Sequence, residues 1–298
     1  MEVRHLMLLR ELAERGTVGA TARALRVSAS AVSQQLRAAE RDLGVPLVEP
    51  AGRGLRLTRA GELLADGAVE VASALAGVEA RFEEFRGAVG GEVGVACVPS
   101  AAAMLLPGLF GRLAEGPVTV RIHDRDVAEA GYAELARDHD IVIGHRMGAR
   151  PLPEWSRLSR VDLLREPLDV ALPVGHPLAA RDSLAPADLV DEPWVGVPMG
   201  YPFDDVRLAV EERTGARVRV VQRVLDNRLV EALVIGGHGI GLLPRFSTRA
   251  GAELVLRPLA GVPTGRTVSA LARPEVARRV VVRHVIDELR AVGRELAG

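Results

Sequence analysis

The chain contains no lysine: all 38 of its basic side chains are arginine. We read this as GC-rich coding, since Arg differs from Lys in consequence only at specific bidentate sites. It does exclude a lysine-bearing phosphate loop, and the Gly-rich run GGHGIG at 236–241 joins a predicted helix to a predicted strand without the Lys-Ser/Thr pair. One cysteine, Cys97, excludes an internal disulfide and any multi-cysteine metal site. It sits in GEVGVACVP, which reads as a buried strand, so a structural thiol is expected there and not a redox sensor. Aromatic residues make up 3% of the chain, which disfavours stacking on a large ring system. No apolar run reaches the length of a membrane span and no signal peptide precedes the first helix, so a cytoplasmic protein without membrane contact is expected.

Catalytic patterns are missing too. The sequence has no G-x-S-x-G, no H-E-x-x-H and no clustered Cys/His. Its closest histidines, His123, His139 and His145, match no common metal spacing. The expectation is no enzyme, no metal and no cofactor. What remains is 298 residues, 48% hydrophobic, enough for two or three cored domains.

Residues Thr17 to Gly44 read as two short helices joined by a tight turn. In the second, Val32, Leu36, Ala39 and Leu43 line one face at helical spacing. Ser30, Gln34, Arg37 and Arg41 occupy the opposite face, with Ser33 at its edge and no acid among them. Hydroxyls, amides and guanidinium groups are the partners of phosphates and base edges. Ser28 precedes the first periodic residue as a candidate N-cap. The small, Ala-rich helix before it can pack as a helix-turn-helix requires. An ordinary amphipathic helix pair with a solvated polar face is the competing reading.

The following residues favour the DNA-binding alternative. Leu47-Val48 and Leu55-Arg56-Leu57 can pair as a hairpin with Gly52-Arg53-Gly54 at its tip, the form of a wing. Arg53 would reach a phosphate or minor groove, and Arg56 and Arg59 extend the basic strip. Residues 1–60 hold ten Arg and six acids, hence +4, whereas the remainder carries −5 (28 Arg, 33 acids).

From Thr58 to about Arg86 a long helix is expected. Leu64, Ala68, Val71, Leu75, Val78, Phe82 and Phe85 alternate steps of four and three, an a/d heptad seam. Such a helix spans about 40 Å, and its seam calls for a partner helix. From Gly91 the pattern becomes βαβαβ: strand 92–98, helix 102–113, strand 118–122, helix 127–136 and strand 140–144. A second set follows, with strands at 168–173, 194–198, 218–223 and 240–243 and helices at 203–214 and 228–236. Strand 267–271 and helix 276–296 close the chain.

Residues 2–64 resemble the LysR-type transcriptional regulators. The resemblance is carried by EVRHL, ATARALRVS, AVSQQLRAAERDLGVPL and GRGLRLTRAG, and more loosely by ALPVGHPLA, ADLVDEPWVGVP and GGHGIGLLPR further on. It implies an α/β protein with an N-terminal all-α winged helix-turn-helix, a long linker helix and a two-lobed, periplasmic-binding-protein-like effector domain. The expected boundaries are 1–60 for the head, 58–90 for the dimerisation helix and 91–298 for the effector domain. Lobe I takes about 91–164 and 267–298, because in the family the last elements return to it, and lobe II about 165–266. Two departures stand out. Ala29-Ser30 replaces the Gln-Pro or Gln-Ser that members often carry, and Val48-Glu49-Pro50 replaces a usual Phe-Glu-Arg run, removing one backbone-contacting Arg.

The expected function is transcription regulation by effector-modulated binding to double-stranded DNA, as a homodimer or homotetramer. Ser28, Ser30, Ser33, Gln34, Arg37, Arg53 and Arg56 are the candidate DNA contacts. A ligand in a bilobal α/β module lies outside the carboxyl ends of strands and at helix starts. That rule selects Ser100 with Ala101, His145 with Arg146, Met199 with Tyr201, and Asn227. With Arg146 and a partly charged His145 in the cleft, an anionic effector, carboxylate or phosphate, is expected. A solute-binding module with an N-terminal interaction domain is the alternative. An α/β enzyme lacks a catalytic constellation.

Overall fold

The computed structural model describes residues 2–52, 54–87, 89–148 and 150–298. The chain forms two compact units, Met1–Ala88 with Pro274–Val280, and Val89–Arg273 with Val281–Gly298.

The first unit contains α1 (Val3–Arg15), α2 (Val18–Leu25), α3 (Ala29–Leu43), a hairpin of β1 (Val48–Ala51) and β2 (Gly54–Leu57), and α4 (Arg59–Phe85). Side-chain oxygens set the helix starts by taking up free N–H groups. Thr17 Oγ1 accepts from Ala20 N at 3.2 Å, Ser28 Oγ from Ala31 N at 3.1 Å and Thr58 Oγ1 from Gly61 N at 3.2 Å. Arg26 ends α2 in the left-handed region at φ 55°, and Gly44 ends α3 at φ 70°. Leu8, Leu9, Leu12, Val32, Leu36, Leu47 and Ala65 form the core. Each large one contributes about 1.5–3 kcal/mol by leaving water.

The hairpin is pinned to α3 through Glu40, whose Oε1 accepts from Leu47 N at 2.9 Å. Thr58 also donates to Pro46 O at 2.8 Å. Gly61 lets α4 pass this point: a Cβ there would lie 2.2 Å from Leu47 O. Ala65, Ala68, Ala76 and Ala80 line the buried side of α4. The outer seam is open, with Leu75 52%, Val78 54%, Phe82 60% and Phe85 86% exposed.

The second unit contains β3 (Gly91–Cys97), α5 (Pro99–Leu113), β4 (Val118–Asp124), α6 (Tyr132–Leu135), β5 (Ile141–Arg146), β6 (Ser159–Pro173) and β7 (Pro193–Gly196). It continues with α7 (Asp204–Thr214), β8 (Arg219–Arg223), α8 (Asn227–Ile235), β9 (Ile240–Pro244), β10 (Leu254–Pro258), β11 (Gly265–Ala272) and α9 (Val280–Ala297). The strand order is β4-β3-β5-β11-β6-β9-β7-β8, with β10 also on β6. β3 runs parallel to β4 and β5, and β7 parallel to β8 and β9, as short βαβ units require. β11 returns antiparallel between β5 and β6.

β6 joins the two halves of the sheet. Of its first nine residues, Ser159–Pro167, all but Leu163 pair with β11, whereas Leu168–Ala171 pair with β9 and Asp169–Pro173 with β10. The strand expected at 168–173 is thus the second half of a 15-residue strand. Its first half is masked in sequence by Arg165, Glu166 and Pro167, a poor strand signal. Three further boundaries differ. The helix expected at 127–136 is a short 3₁₀ turn, Glu129–Gly131, followed by the four-residue α6. Gly131 packs against Val127, where a Cβ would approach to 3.1 Å. α5 starts at Pro99, whose missing N–H costs nothing in a first turn. α9 starts at Val280, after a 3₁₀ turn at Val276–Arg278. β10 was not anticipated.

Candidate functional site

Two surfaces carry the polar groups singled out in sequence. The first is the outer side of α3. Val32, Leu36 and Ala39 are buried, and Leu43 packs partly against the same core. Ser30, Gln34 and Arg37 face solvent, and Ser33 is half-buried. Ser28 Oγ is the N-cap and lies 2.8 Å from Ser30 Oγ, while Ser33 Oγ donates back to Ala29 O at 3.0 Å. Ser28 and Ser33 are therefore partly committed to the backbone and Ser30 to Ser28, while Gln34, Arg37 and Arg41 are exposed. On the hairpin, Arg56 is paired with Glu49 across the strands at 2.5 Å. Arg53 lies outside the described residues.

The second is a cavity of about 210 Å³ in the α/β unit. It opens where strand ends meet helix starts, as the fold rule anticipates. Ser100 at the start of α5, His145 near the end of β5, Tyr201, and Asn227 at the start of α8 line it. Val98, Val127, Val197, Phe203 and Leu225 supply apolar wall, and Asp124, Asp126 and Asp226 are also lining residues. Among the described residues Arg228 is the one lining arginine, with its side chain 84% exposed and 3.8 Å from Asp226.

Beneath Ser100 lies a fully buried ion pair. Arg266 Nε donates to Glu166 Oε2 at 2.7 Å, with Nη2 2.6 Å from the same oxygen, and Nη1 donates to Ser100 Oγ at 2.8 Å. Glu166 Oε1 accepts from Phe246 N at 2.8 Å. Phe203 lies against the Arg266 guanidinium, 5.6 Å from ring centroid to Cζ. A buried charge is tolerable only with such partners.

Three sequence expectations do not reach the cavity. His145 and Arg146 are neighbours on one strand, so the pleat sends them to opposite faces. His145 faces inward. Arg146 is held by Asp162 at 3.0 Å, by Gly148 O at 2.8 Å and by Thr267 at 3.4 Å, and is no part of the wall. Ala101 is fully buried and Met199 is 77% exposed; neither lines the cavity. His145 is not partly charged: burial, and then the Arg266 charge, push its pKa well below the ordinary histidine value. Its Nδ1 is 3.5 Å from Tyr132 Oη, and its buried Nε2 has no hydrogen-bond partner among the described residues.

The "LysR substrate binding domain" family matches residues 86–294, and the "Bacterial regulatory helix-turn-helix protein, lysR family" matches residues 3–62. This chain belongs to the LysR family. It is a transcriptional regulator with a DNA-binding helix-turn-helix domain and a substrate-binding domain for an effector. The small neutral protease regulatory protein of Streptomyces coelicolor is 30% identical over 92% of this chain and 82% of its own length. A full-length OxyR variant of Pseudomonas aeruginosa shares the fold with a TM-score of 0.65 at 22% identity, over 99% of this chain and 98% of that one. CbnR in complex with its target DNA does so with a TM-score of 0.55 at 23% identity, over 98% and 100%.

Within this LysR frame, sequence reasoning missed Asp124 and Asp126. The signal was present: Asp124 ends β4, a parallel strand, and the strand-end rule that selected Ser100 and His145 selects it as well. The strand was expected to stop at Ile122, which hid the acids in a loop. Cys97 is buried at the end of β3, and burial, then Asp124, push its thiol up to about 11, which makes it inert at neutral pH. Among the described residues no metal-binding cluster occurs and no helix is long and apolar enough to cross a membrane.

Proposed function

We propose that this LysR regulator binds duplex DNA as a homodimer, or as a homotetramer of such dimers, in the cytoplasm. Its two heads take half-sites about one helical turn apart. The observation that carries this reading is the outer face of α3, where exposed Gln34 and Arg37 stand beside capped serines. Gln34 and Arg37 read base edges; Ser28, Ser30, Ser33, Arg53 and Arg56 position the backbone. The open seam Leu75, Val78, Phe82 and Phe85 on α4 supports pairing of two linker helices. A small-molecule effector occupies the cavity lined by Ser100, His145, Tyr201 and Asn227 and biases the regulator between two DNA-binding geometries. No catalytic reaction is assigned to the chain.

The test is duplex titration across a range of salt concentrations. Affinity should fall steeply with salt. Gln34→Ala should cost about 1–3 kcal/mol on the preferred site and little on random duplex. Equal losses on both duplexes would remove Gln34 from base reading, and salt-independent binding would remove the DNA reading itself.

A further inference from the structure

We propose that the effector of this cavity carries a protonated amine, and that the site selects against carboxylates and phosphates; this rests on the reading of the cavity as the effector site. Three observations meet there. Asp124, Asp126 and Asp226 line the same 210 Å³ space. Cations are outnumbered there. Arg266 is fully buried on Glu166 and Ser100, and Arg146 is tied to Asp162 away from the wall. Arg228 lines the cavity with its side chain 84% exposed and 3.8 Å from Asp226, against three lining aspartates. His145 is neutral and lines the cavity; its side chain is more than nine-tenths buried, and its Nε2 has no hydrogen-bond partner among the described residues. A neutral imidazole nitrogen without a partner is costly to bury and is satisfied by a ligand donor or acceptor.

The acids also act on one another. The pKa of Asp126 is raised by burial first and then by the charges of Asp124 and Asp226, with no cation contributing. A cationic ligand relieves that repulsion, whereas an anion adds to it. The helix starts at Ser100 and Asn227 do not reverse the sign. The Ser100 hydroxyl already accepts from Arg266, and the α8 start is capped by the Asp226 carboxylate, which accepts from Arg228 N at 2.9 Å. The apolar wall of Val98, Val127, Phe203 and Leu225 excludes water from the ligand body. The occupant that fits is a short amine, with its ammonium at the three aspartates and a hydrogen-bonding group toward His145.

The experiment is calorimetric titration of the full-length protein with four probes of matched size: 1,4-diaminobutane, lysine, succinate and 2-oxoglutarate. We expect at least one amine to bind and neither dicarboxylate to do so. The Asp124→Asn/Asp126→Asn variant should then weaken the amine about fivefold or more, as removal of two partly exposed charge partners requires. Both positions are exposed, so the variant should fold, and its unfolding transition serves as the control. Asp226→Asn keeps a capping side chain on α8 and should weaken the amine as well. Binding of a dicarboxylate with the amines silent, or amine binding indifferent to the aspartate variants, overturns the amine assignment. In the first case His145→Ala separates the two readings. Loss of dicarboxylate binding in that variant leaves the cavity as an effector site for an anion, whereas unchanged binding removes the cavity reading too. Silence of all four probes overturns the amine assignment.

Discussion

Arg266 donates to the Ser100 hydroxyl at 2.8 Å while its other nitrogens rest on Glu166. A charge on β11, itself neutralised from β6, therefore fixes the first helical turn of the cavity wall. The pair is worth little as a net stabiliser, because desolvation offsets attraction, but it is expensive to break.

Glu166→Ala leaves the Arg266 guanidinium buried without a counter-charge and frees Phe246 N. Urea denaturation should show a loss of about 3–5 kcal/mol for the α/β unit. A loss below about 1 kcal/mol, the level of an exposed pair, would mean that solvent reaches this pair in solution.

Gly61→Ala places a methyl 2.2 Å from Leu47 O, which accepts from Thr58 N at 3.0 Å in a residue whose own N–H is held by Glu40. The head should lose about 1–3 kcal/mol through the forced shift, and its thermal transition should fall. Gly67→Ala is the control, since nothing lies within 4 Å of a Cβ there. A stabilised or unchanged Gly61→Ala would show that the hairpin slides freely on α4.

Leu75→Asp sets a carboxylate in the middle of the open seam of α4. Buried between two linker helices it would lack a partner and must break the contact or take up a proton. Light scattering should report a monomer at concentrations where the wild type is dimeric. Unchanged mass would show that the seam is not the dimer contact.

His145 supplies a pH dependence of known sign. Its folded-state pKa lies well below 6.5, chiefly through burial. Below pH about 6.5 the unfolded chain takes up a proton that the folded one refuses, so this residue lowers stability as pH falls from there. His145→Gln should flatten the stability curve between pH about 6.5 and 5. A steeper decline in the variant would require a charged His145 in the folded protein.

Much of this was legible in the residues. The starts of α3 and α4 were, because Ser28 and Thr58 declare caps, and so was the buried face of α3, because apolar spacing is periodic. Of the expected α4 seam, Leu75, Val78, Phe82 and Phe85 are exposed, whereas Ala68 is buried within the chain. Less legible were features decided by contacts far apart in sequence. The N-terminal half of β6 carries Arg165 and Glu166, which look like surface charges until Arg266, a hundred residues on, neutralises one of them. Arg146 looked like a cleft cation because it follows His145; the pleat sends neighbours to opposite faces, and Asp162 waits on the other side. Asp124 and Asp126 were missed for a simpler reason, a strand end set two residues short.

The single strand running through both halves of the sheet also constrains how this domain can change. Beyond the irregularity at Leu163, residues along the strand to Pro173 alternate faces, and it is held by β11 at one end and by β9 and β10 at the other. Point substitutions on it disturb one contact at a time. Inserting or deleting one residue midway, near Pro167, would turn every side chain beyond it to the opposite face, carrying Asp169 off its partner Arg245 and Leu168, Val170 and Leu172 out of the core. Length along this strand is thus the least negotiable dimension of the fold, and family members should tolerate insertions in the loops around it far better than within it.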